Sequence, residues 1–237
     1  MRKDRLADEL RPITIDTTFS SYAEGSALIS IGDTCLLCTV SIEERQPGFR
    51  RNSQTGWITA EFSMLPRATH TRGGREAVRG KQNGRTIEIQ RLIGRSLRAV
   101  LDLKALGPRT ITLDCDVLQA NGSTRAAAIT GAWVALRLAL NKLLDKGTLS
   151  IDPMIGQVAA VSCGFVNGEP LLDMDYSEDS QAAMDANFIM TKDGSVVEIQ
   201  ATAEDVPLPW EKFMELKKLA DKGIAELVKI QLAAIED

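Results

Sequence analysis

The chain has 237 residues, of which 44% are hydrophobic and 25% are charged, with a formal net charge of −4. This composition is typical of a globular protein with a buried core and excludes fibrous and intrinsically disordered chains. The apolar runs are shorter than the ~18 residues of a membrane span, and the first residues are charged, unlike those of a signal peptide. Because the four cysteines are also few and scattered, we expect a cytoplasmic protein.

Strands with hairpin connections are predicted for the first quarter of the chain. Apolar residues alternate or run together between turn residues at 12–19, 26–31, 34–42 and 57–63. Cys35 and Cys38 lie in the third of these strands. Because the chain has one histidine and no second cysteine pair, we interpret both cysteines as strand residues rather than as zinc ligands.

A basic segment follows these strands. Residues 66–84 are rich in Gly, Arg and Thr and predict a mobile loop. From Arg67 to Arg109 there are eleven basic and three acidic residues, a net charge of +8, whereas residues 169–237 hold six basic and sixteen acidic residues, a net charge of −10. A basic block in an acidic chain favours a phosphate-bearing ligand, nucleic acid above all.

The remaining elements alternate between helices and strands. Apolar periodicity predicts helices over 85–104, 124–145 and about 210–234. Strands are predicted at 109–118, 156–166, 170–174, 187–191 and 195–200. With no linker of low complexity, residues 1–237 are interpreted as one α/β or α+β domain with mixed sheets and about three long helices.

Two predicted helix starts have the composition of anion sites. The turn before the second long helix ends in Ser123, Thr124 and Arg125, and the first long helix begins near Arg85. Unpaired amides and the helix dipole favour negative charge at a helix start, and an arginine adds donors suited to phosphate. The alternative is that the serine and threonine only cap the helix.

Residues 173–188 hold a cluster of five carboxylates. Beside a nucleic-acid channel, such oxygen ligands suit Mg²⁺ or Mn²⁺, and a carboxyl group can also act as a general acid. A solvated acidic turn is the alternative. We assign no catalytic role to His70, and we expect Trp57, Trp133 and Trp210 in the core or in interfaces.

Three long segments resemble the bacterial ribonuclease PH family, and the similarity runs nearly end to end. They are GWITAEFSMLPRATHTR, GRTIEIQRLIGRSLRAVLDLKALGPRTITLDCDVLQANGSTR and LLDMDYSEDS. The resemblance implies an α+β ribonuclease PH fold of the ribosomal-protein-S5-domain-2-like class, with mixed sheets and βαβ units. It also implies a homohexamer, a trimer of dimers, that removes nucleotides from the 3′ ends of tRNA precursors with inorganic phosphate, and that adds nucleotides from diphosphates in reverse.

The same resemblance assigns roles to individual residues. Phosphate binding falls on Arg85, Ser123, Thr124 and Arg125. The catalytic pair, which also binds Mg²⁺ or Mn²⁺, falls on Asp179 and Asp185. RNA binding falls on Arg67, Arg72, Arg75 and Arg79. Three positions depart from the family pattern: Ser123 and Ser63 stand where glycine is usual, and Asn121 where aspartate is common.

Two other functions compete with this interpretation. One is a catalytically silent RNA-binding subunit of a ring, which would lack the acids or the phosphate arginines. The other is a hydrolytic exoribonuclease on the same fold, which would use water at a metal. The chain retains both the arginines and the acids, which favours the phosphate-dependent enzyme.

Overall fold

In the computed structural model of the protein, residues 2, 5–50, 53–204 and 206–236 are described. Nine strands in these residues form two sheets. The first sheet contains β1 (Ile13–Asp16), β2 (Gly25–Ile31), β3 (Thr34–Glu43), β4 (Trp57–Met64) and β5 (Thr110–Gln119). The second contains β6 (Val158–Val166), β7 (Glu169–Leu172), β8 (Met184–Thr191) and β9 (Val196–Ala203).

The first sheet has the order β1-β2-β3-β5-β4 and is mixed. Its neighbours run antiparallel except for β4 and β5, which are parallel. The predicted hairpin between the third and fourth strands is therefore wrong, because β5 lies between them. The helix that connects β4 to β5 completes a βαβ unit, so the mixed α+β fold is confirmed. The second sheet, of order β7-β6-β8-β9, is antiparallel throughout.

Three long helices and three short ones accompany the sheets in the described residues. They are α1 (Glu76–Arg79), α2 (Gly84–Arg98), α3 (Leu103–Leu106), α4 (Thr124–Asp145), α5 (Tyr176–Asp179) and α6 (Trp210–Glu236). The helix predicted over 85–104 ends early, at Arg98. Leu101 instead forms a β-bridge with Met154, and the Asp102 carboxylate accepts the first amides of α3 and starts a new helix.

Helix α4 lies between the two sheets and is buried along most of its length. It contacts β2 and β3 on one side and β6 on the other, while α6 covers the opposite face of the second sheet. Close packing requires glycine on the facing strand, since a Cβ at Gly25 would lie 1.9 Å from the carbonyl oxygen of Ala135. By length and composition α4 could cross a membrane, but 72% of its most apolar window is buried inside the protein, as in a core helix.

Candidate active site

The two helix starts singled out in the sequence meet at one edge of the first sheet. Because β4 and β5 are parallel, their carboxyl ends lie at the same edge; β4 leads to the start of α2 and β5 to the start of α4. The two helices are in contact. Close to these starts, the guanidinium of Arg125 on α4 lies 3.3 Å from the carboxylate of Glu88 on α2. This places the α2 and α4 starts beside each other.

The start of α4 has free backbone donors. The first intrahelical bond runs from the amide of Ala127 to the carbonyl of Ser123 at 2.9 Å. The amides of Thr124, Arg125 and Ala126 precede it, and no side chain of residues 2, 5–50, 53–204 and 206–236 caps them. Three unpaired amides at the positive end of a 22-residue helix form a site suited to an anion such as phosphate.

The start of α2, in contrast, is already capped. The Asn83 side chain accepts the amide of Thr86 at 2.7 Å. The Glu76 carboxylate accepts the Thr86 hydroxyl at 2.9 Å and the Asn83 amide at 3.3 Å. The Thr86 amide is therefore not free for an anion, so the α2 start offers fewer amides than the α4 start. Helix α2 also offers the exposed side chain of Arg85.

Two residues that the sequence analysis did not identify orient Arg125. Its Nη1 donates to Gln200 Oε1 at 2.6 Å and to Glu88 Oε1 at 3.3 Å. Gln200 Nε2 also donates to Glu88 Oε1 at 2.8 Å, which closes a three-residue ring of contacts. Gln200 lies on β9, 75 residues from Arg125 in sequence, so no local pattern connects the two.

Asp179 and Asp185 lie near this pair of arginines. Partial burial raises the pKa of Asp179 above its ordinary value, while the charges of Arg85 and Arg125 act in the opposite direction. The pKa of Asp185 is raised by partial burial and by the charge of Asp179, again against the two arginines. All four charged groups therefore act on one another, and they come from α2, α4, α5 and β8.

The two carboxylates have the chemistry of a divalent cation site. They repel each other in a partly desolvated place, and each is a hard oxygen ligand. Mg²⁺ is commonly held by one or two carboxylates with waters and substrate phosphates completing its shell. Among the described residues, no group of three or more His, Cys, Asp or Glu side chains is placed to hold a metal ion. Asp179 and Asp185 thus fit Mg²⁺ or Mn²⁺ as a pair that shares the ion with substrate.

The side chain of Ser123 turns away from the anion site. Its Oγ donates to the carboxylate of buried Asp173 at 2.9 Å and lies 2.6 Å from Ser162 Oγ. Its backbone is left-handed, with φ of +54°, which explains why glycine suits this position. The left-handed form costs about 1–2 kcal/mol, and a hydrogen bond to a charged group contributes about 1.5–3 kcal/mol, so the bond to Asp173 offsets the strain.

Gly122, the preceding residue, is required by both conformation and space. Its φ is +79°, and a Cβ there would lie 2.5 Å from the carbonyl oxygen of Met174. We expect Gly122→Ala to lower the free energy of unfolding by more than the 1–3 kcal/mol typical of a strained backbone alone. The control is Gly147→Ala, because Gly147 has φ of +67° and open space around it. Equal losses in urea unfolding of the two variants would contradict a steric contribution at Gly122.

The predicted RNA-binding arginines are exposed on the segment between β4 and α2. This segment is not an unbroken loop, because it contains α1 and is anchored by the buried Ala68, whose carbonyl accepts the Ala120 amide at 2.8 Å. A cavity of about 920 Å³ lies between the segment and the sheet. Arg75, Arg79 and Arg85 line it on one side and the carboxylates of Glu61, Asp114 and Asp116 on another.

Several other residues have structural roles. Arg95 pairs with Glu198 and joins α2 to β9, and Arg98 stacks over the Trp57 ring at 4.6 Å. Trp133 is buried as expected, whereas Trp210 is 68% exposed and lies outside the core, so that of the two expected places an interface remains. Cys38 faces Cys115 across β3 and β5, as expected of a strand residue.

Comparisons with known proteins point to one family. The model of the 3′ exoribonuclease family, domain 1, matches residues 9–140, and that of domain 2 matches residues 156–223. Ribonuclease PH of Caulobacter vibrioides is 62% identical over 98% of both chains, and ribonuclease PH of Maricaulis maris is 58% identical over the same shares.

Two solved structures share the fold at low sequence identity. Rice (Oryza sativa) Rrp46 has a TM-score of 0.79 at 18% identity, covering 98% of both chains. The Archaeoglobus fulgidus exosome with RNA bound to the active site also has a TM-score of 0.79, at 23% identity, covering 95% of this chain and 90% of that one.

Proposed function

Because the chain belongs to the 3′ exoribonuclease family, we propose that it is a phosphate-dependent 3′→5′ exoribonuclease that trims the 3′ ends of tRNA precursors. One observation carries the proposal. The uncapped start of α4 carries Arg125, and the charges of Arg125 and Arg85 both act on the carboxyl groups of Asp179 and Asp185. Anion-binding groups beside two carboxyl groups are what a phosphate nucleophile and a leaving oxygen require.

In this mechanism, inorganic phosphate binds the amides of Thr124, Arg125 and Ala126 and the side chains of Arg85 and Arg125. One phosphate oxygen attacks the phosphorus of the last 3′,5′-phosphodiester of the RNA, in line with the bond to the 3′ oxygen. That bond breaks, and the products are a nucleoside 5′-diphosphate and an RNA one nucleotide shorter. Since one phosphoryl linkage replaces another of similar energy, the reaction also runs in reverse from diphosphates.

The leaving 3′ oxygen takes a proton from the Asp179–Asp185 pair. Partial burial raises the pKa of both carboxyl groups, which favours the protonated form that a general acid requires. The same pair would hold Mg²⁺ or Mn²⁺, which when bound would neutralise charge on the phosphodiester. Arg85 and Arg125 supply positive charge where it is needed in the transition state.

We further propose that Arg67, Arg72, Arg75 and Arg79 hold the RNA backbone, and that six copies form a ring as a trimer of dimers in the cytoplasm. All four arginines are exposed, and Arg75 and Arg79 line the 920 Å³ cavity together with Arg85, which supports the arginine role. The packing of both sheets against α4 supports one domain over residues 1–237.

One assay separates this function from its two rivals. A tRNA precursor is incubated with the protein and Mg²⁺, with and without inorganic phosphate, and the released nucleotides are identified. We expect nucleoside diphosphates only when phosphate is present. Nucleoside monophosphates formed without phosphate would show a hydrolytic exoribonuclease, and the absence of any product would show a silent RNA-binding subunit.

The proposed role of the arginine segment predicts a change in salt dependence. Arg72→Ala combined with Arg75→Ala should weaken binding of a tRNA precursor and reduce the slope of log affinity against log salt by about 1 for each RNA phosphate that is no longer bound. Arg45→Ala is the control, because it removes an exposed guanidinium at the opposite end of β5, where the Arg45 carbonyl accepts from Thr110. An unchanged slope in the double variant would contradict the proposed RNA-binding role.

A further inference from the structure

A buried carboxylate lies directly behind the proposed phosphate site. Asp173 is 2% exposed and lies in the turn between β7 and α5. Its Oδ2 accepts the backbone amide and Nε of Arg11, both at 2.9 Å, and its Oδ1 accepts Arg11 Nη2 at 2.7 Å. Arg5 Nη1 adds a longer contact at 3.4 Å. The N-terminal segment therefore supplies most of the donors to this carboxylate.

The remaining donor is the hydroxyl group of Ser123, the residue immediately before α4. Ser123 Oγ donates to Asp173 Oδ1 at 2.9 Å and lies 3.2 Å from the Met174 carbonyl oxygen. Ser162 Oγ, on β6, lies 2.6 Å from the same hydroxyl. One hydroxyl group thus connects the first turn of α4, the second sheet and the turn that leads into α5.

Other contacts join the same two places. The Asn121 side-chain oxygen accepts the amide of Tyr176, the first residue of α5, at 3.2 Å. Arg11 Nη1 donates to the Asn121 carbonyl at 2.5 Å. Arg2 binds the Glu178 carboxylate at 2.6 and 2.8 Å. The turn before α4 and the helix that carries Asp179 are therefore bonded to each other and to the N-terminal segment.

We propose that Asp173 and Ser123 are positioning residues, which hold the phosphate-binding start of α4 at a fixed place relative to Asp179 on α5. The proposal rests on the proposed function. Neither side chain faces the reacting atoms: the Ser123 hydroxyl is engaged with Asp173, and Asp173 is buried. They act through the backbone amides of Thr124, Arg125 and Ala126, whose position the Ser123–Asp173 bond fixes.

The hydroxyl of Ser123 allows a small and specific test. Ser123→Ala removes one oxygen, and Ser41→Ala, on the exposed outer face of β3, is the matched control. We expect Ser123→Ala to raise the KM for phosphate by about tenfold and to leave the KM for RNA within twofold of wild type. Ser41→Ala should change neither. An unchanged KM for phosphate, or equal increases in both constants, would overturn the proposal.

A double-mutant cycle tests the connection to Asp173. If Ser123 acts through Asp173, then Asp173→Asn combined with Ser123→Ala should raise the KM for phosphate no further than the larger single effect. If the increases in the KM for phosphate of the two single variants multiply in the double variant, the coupling between Ser123 and Asp173 is contradicted. Should Asp173→Asn fail to fold, Ser123→Ala alone still decides the main claim.

Phosphate binding without turnover keeps this inference separate from the proposed function. The rise in melting temperature with phosphate concentration is measured for wild type and Ser123→Ala without RNA, and the Kd for phosphate is obtained from the stabilisation, RT ln(1 + [phosphate]/Kd). We expect the variant to need about tenfold more phosphate than wild type for the same rise in melting temperature. If wild type binds phosphate and Ser123→Ala shows the shift, but no diphosphates form from RNA, the proposed function fails and the positioning role stands. No stabilisation of wild type by phosphate overturns the positioning role as well.

Discussion

Arg125→Ala is expected to lower kcat/KM for phosphate-dependent shortening of RNA by a factor of about 10² to 10³. The side chain is held by Gln200 and Glu88 beside the uncapped amides of α4, so its position is fixed before phosphate binds. A preorganised charge of this kind acts on the transition state without reorganisation. Steady-state rates at varied phosphate, with diphosphate release as the readout, measure the loss.

Two further variants sharpen the result for Arg125. Arg125→Lys keeps the charge but loses the planar pair of donors, so its rate should fall between those of wild type and Arg125→Ala. Arg45→Ala removes an equal charge at the far end of the sheet and should retain the wild-type rate. A fully active Arg125→Ala enzyme would show that phosphate binds elsewhere.

Arg11→Ala is expected to have the largest effect on stability, about 3–5 kcal/mol of the free energy of unfolding. Arg11 and Asp173 form a paired contact in which the side chains are 8% and 2% exposed. Removing the arginine leaves a buried carboxylate short of its main partner. Since a domain is stable by only about 5–15 kcal/mol in total, urea unfolding should show the loss clearly.

A matched exposed pair provides the control for Arg11. The guanidinium of Arg45 likewise donates two hydrogen bonds to a carboxylate, that of Glu43, at 2.8 and 3.2 Å, but the two side chains are 77% and 50% exposed. Arg45→Ala should leave the urea midpoint unchanged, because exposed pairs contribute little. Similar midpoints for Arg11→Ala and Arg45→Ala would contradict the importance of burial.

The same ion pair predicts a dependence on pH. Burial alone raises the pKa of Asp173, but hydrogen bonds and charge from Arg11, with the charge of Arg5, outweigh it and hold the pKa below its ordinary value. The stabilisation is therefore complete above about pH 4, the ordinary pKa of aspartate, and is lost as pH falls through the lowered pKa. The difference in unfolding free energy between wild type and Arg11→Ala should narrow below about pH 4.

Local sequence patterns predicted individual elements better than their neighbours in space. Helix α4 spans the residues that its capping and apolar pattern indicated, 124–145. Apolar periodicity did not mark the end of α2, because Val100 and Leu103 continue the stripe although Leu101 pairs with Met154 instead. Periodicity also cannot reveal that β5 enters the sheet between β3 and β4, since strand order depends on contacts distant in sequence.

In the site, too, local patterns predicted single residues better than their neighbours in space. Arg125 and the start of α4 were visible as a helix start with small residues, and the resemblance supplied Asp179 and Asp185. Their convergence depends on the parallel pairing of β4 with β5 and on the placement of the second sheet, which local residues do not encode. Gln200 is an ordinary strand residue in the sequence, and only the fold brings it to Arg125.

The contacts of the N-terminal segment also determine when the site can assemble. Arg11 and Asp173 are 162 residues apart, a separation that a ribosome making 5–20 residues per second crosses in roughly 8 to 32 s. During that time β1 to β5 and α4 can pack, but the turn before α4 lacks the carboxylate that holds it. Arg11 thus reaches its place only after the 162 residues that lead to Asp173 have been synthesised, and the active site is completed after the first sheet and α4 can pack.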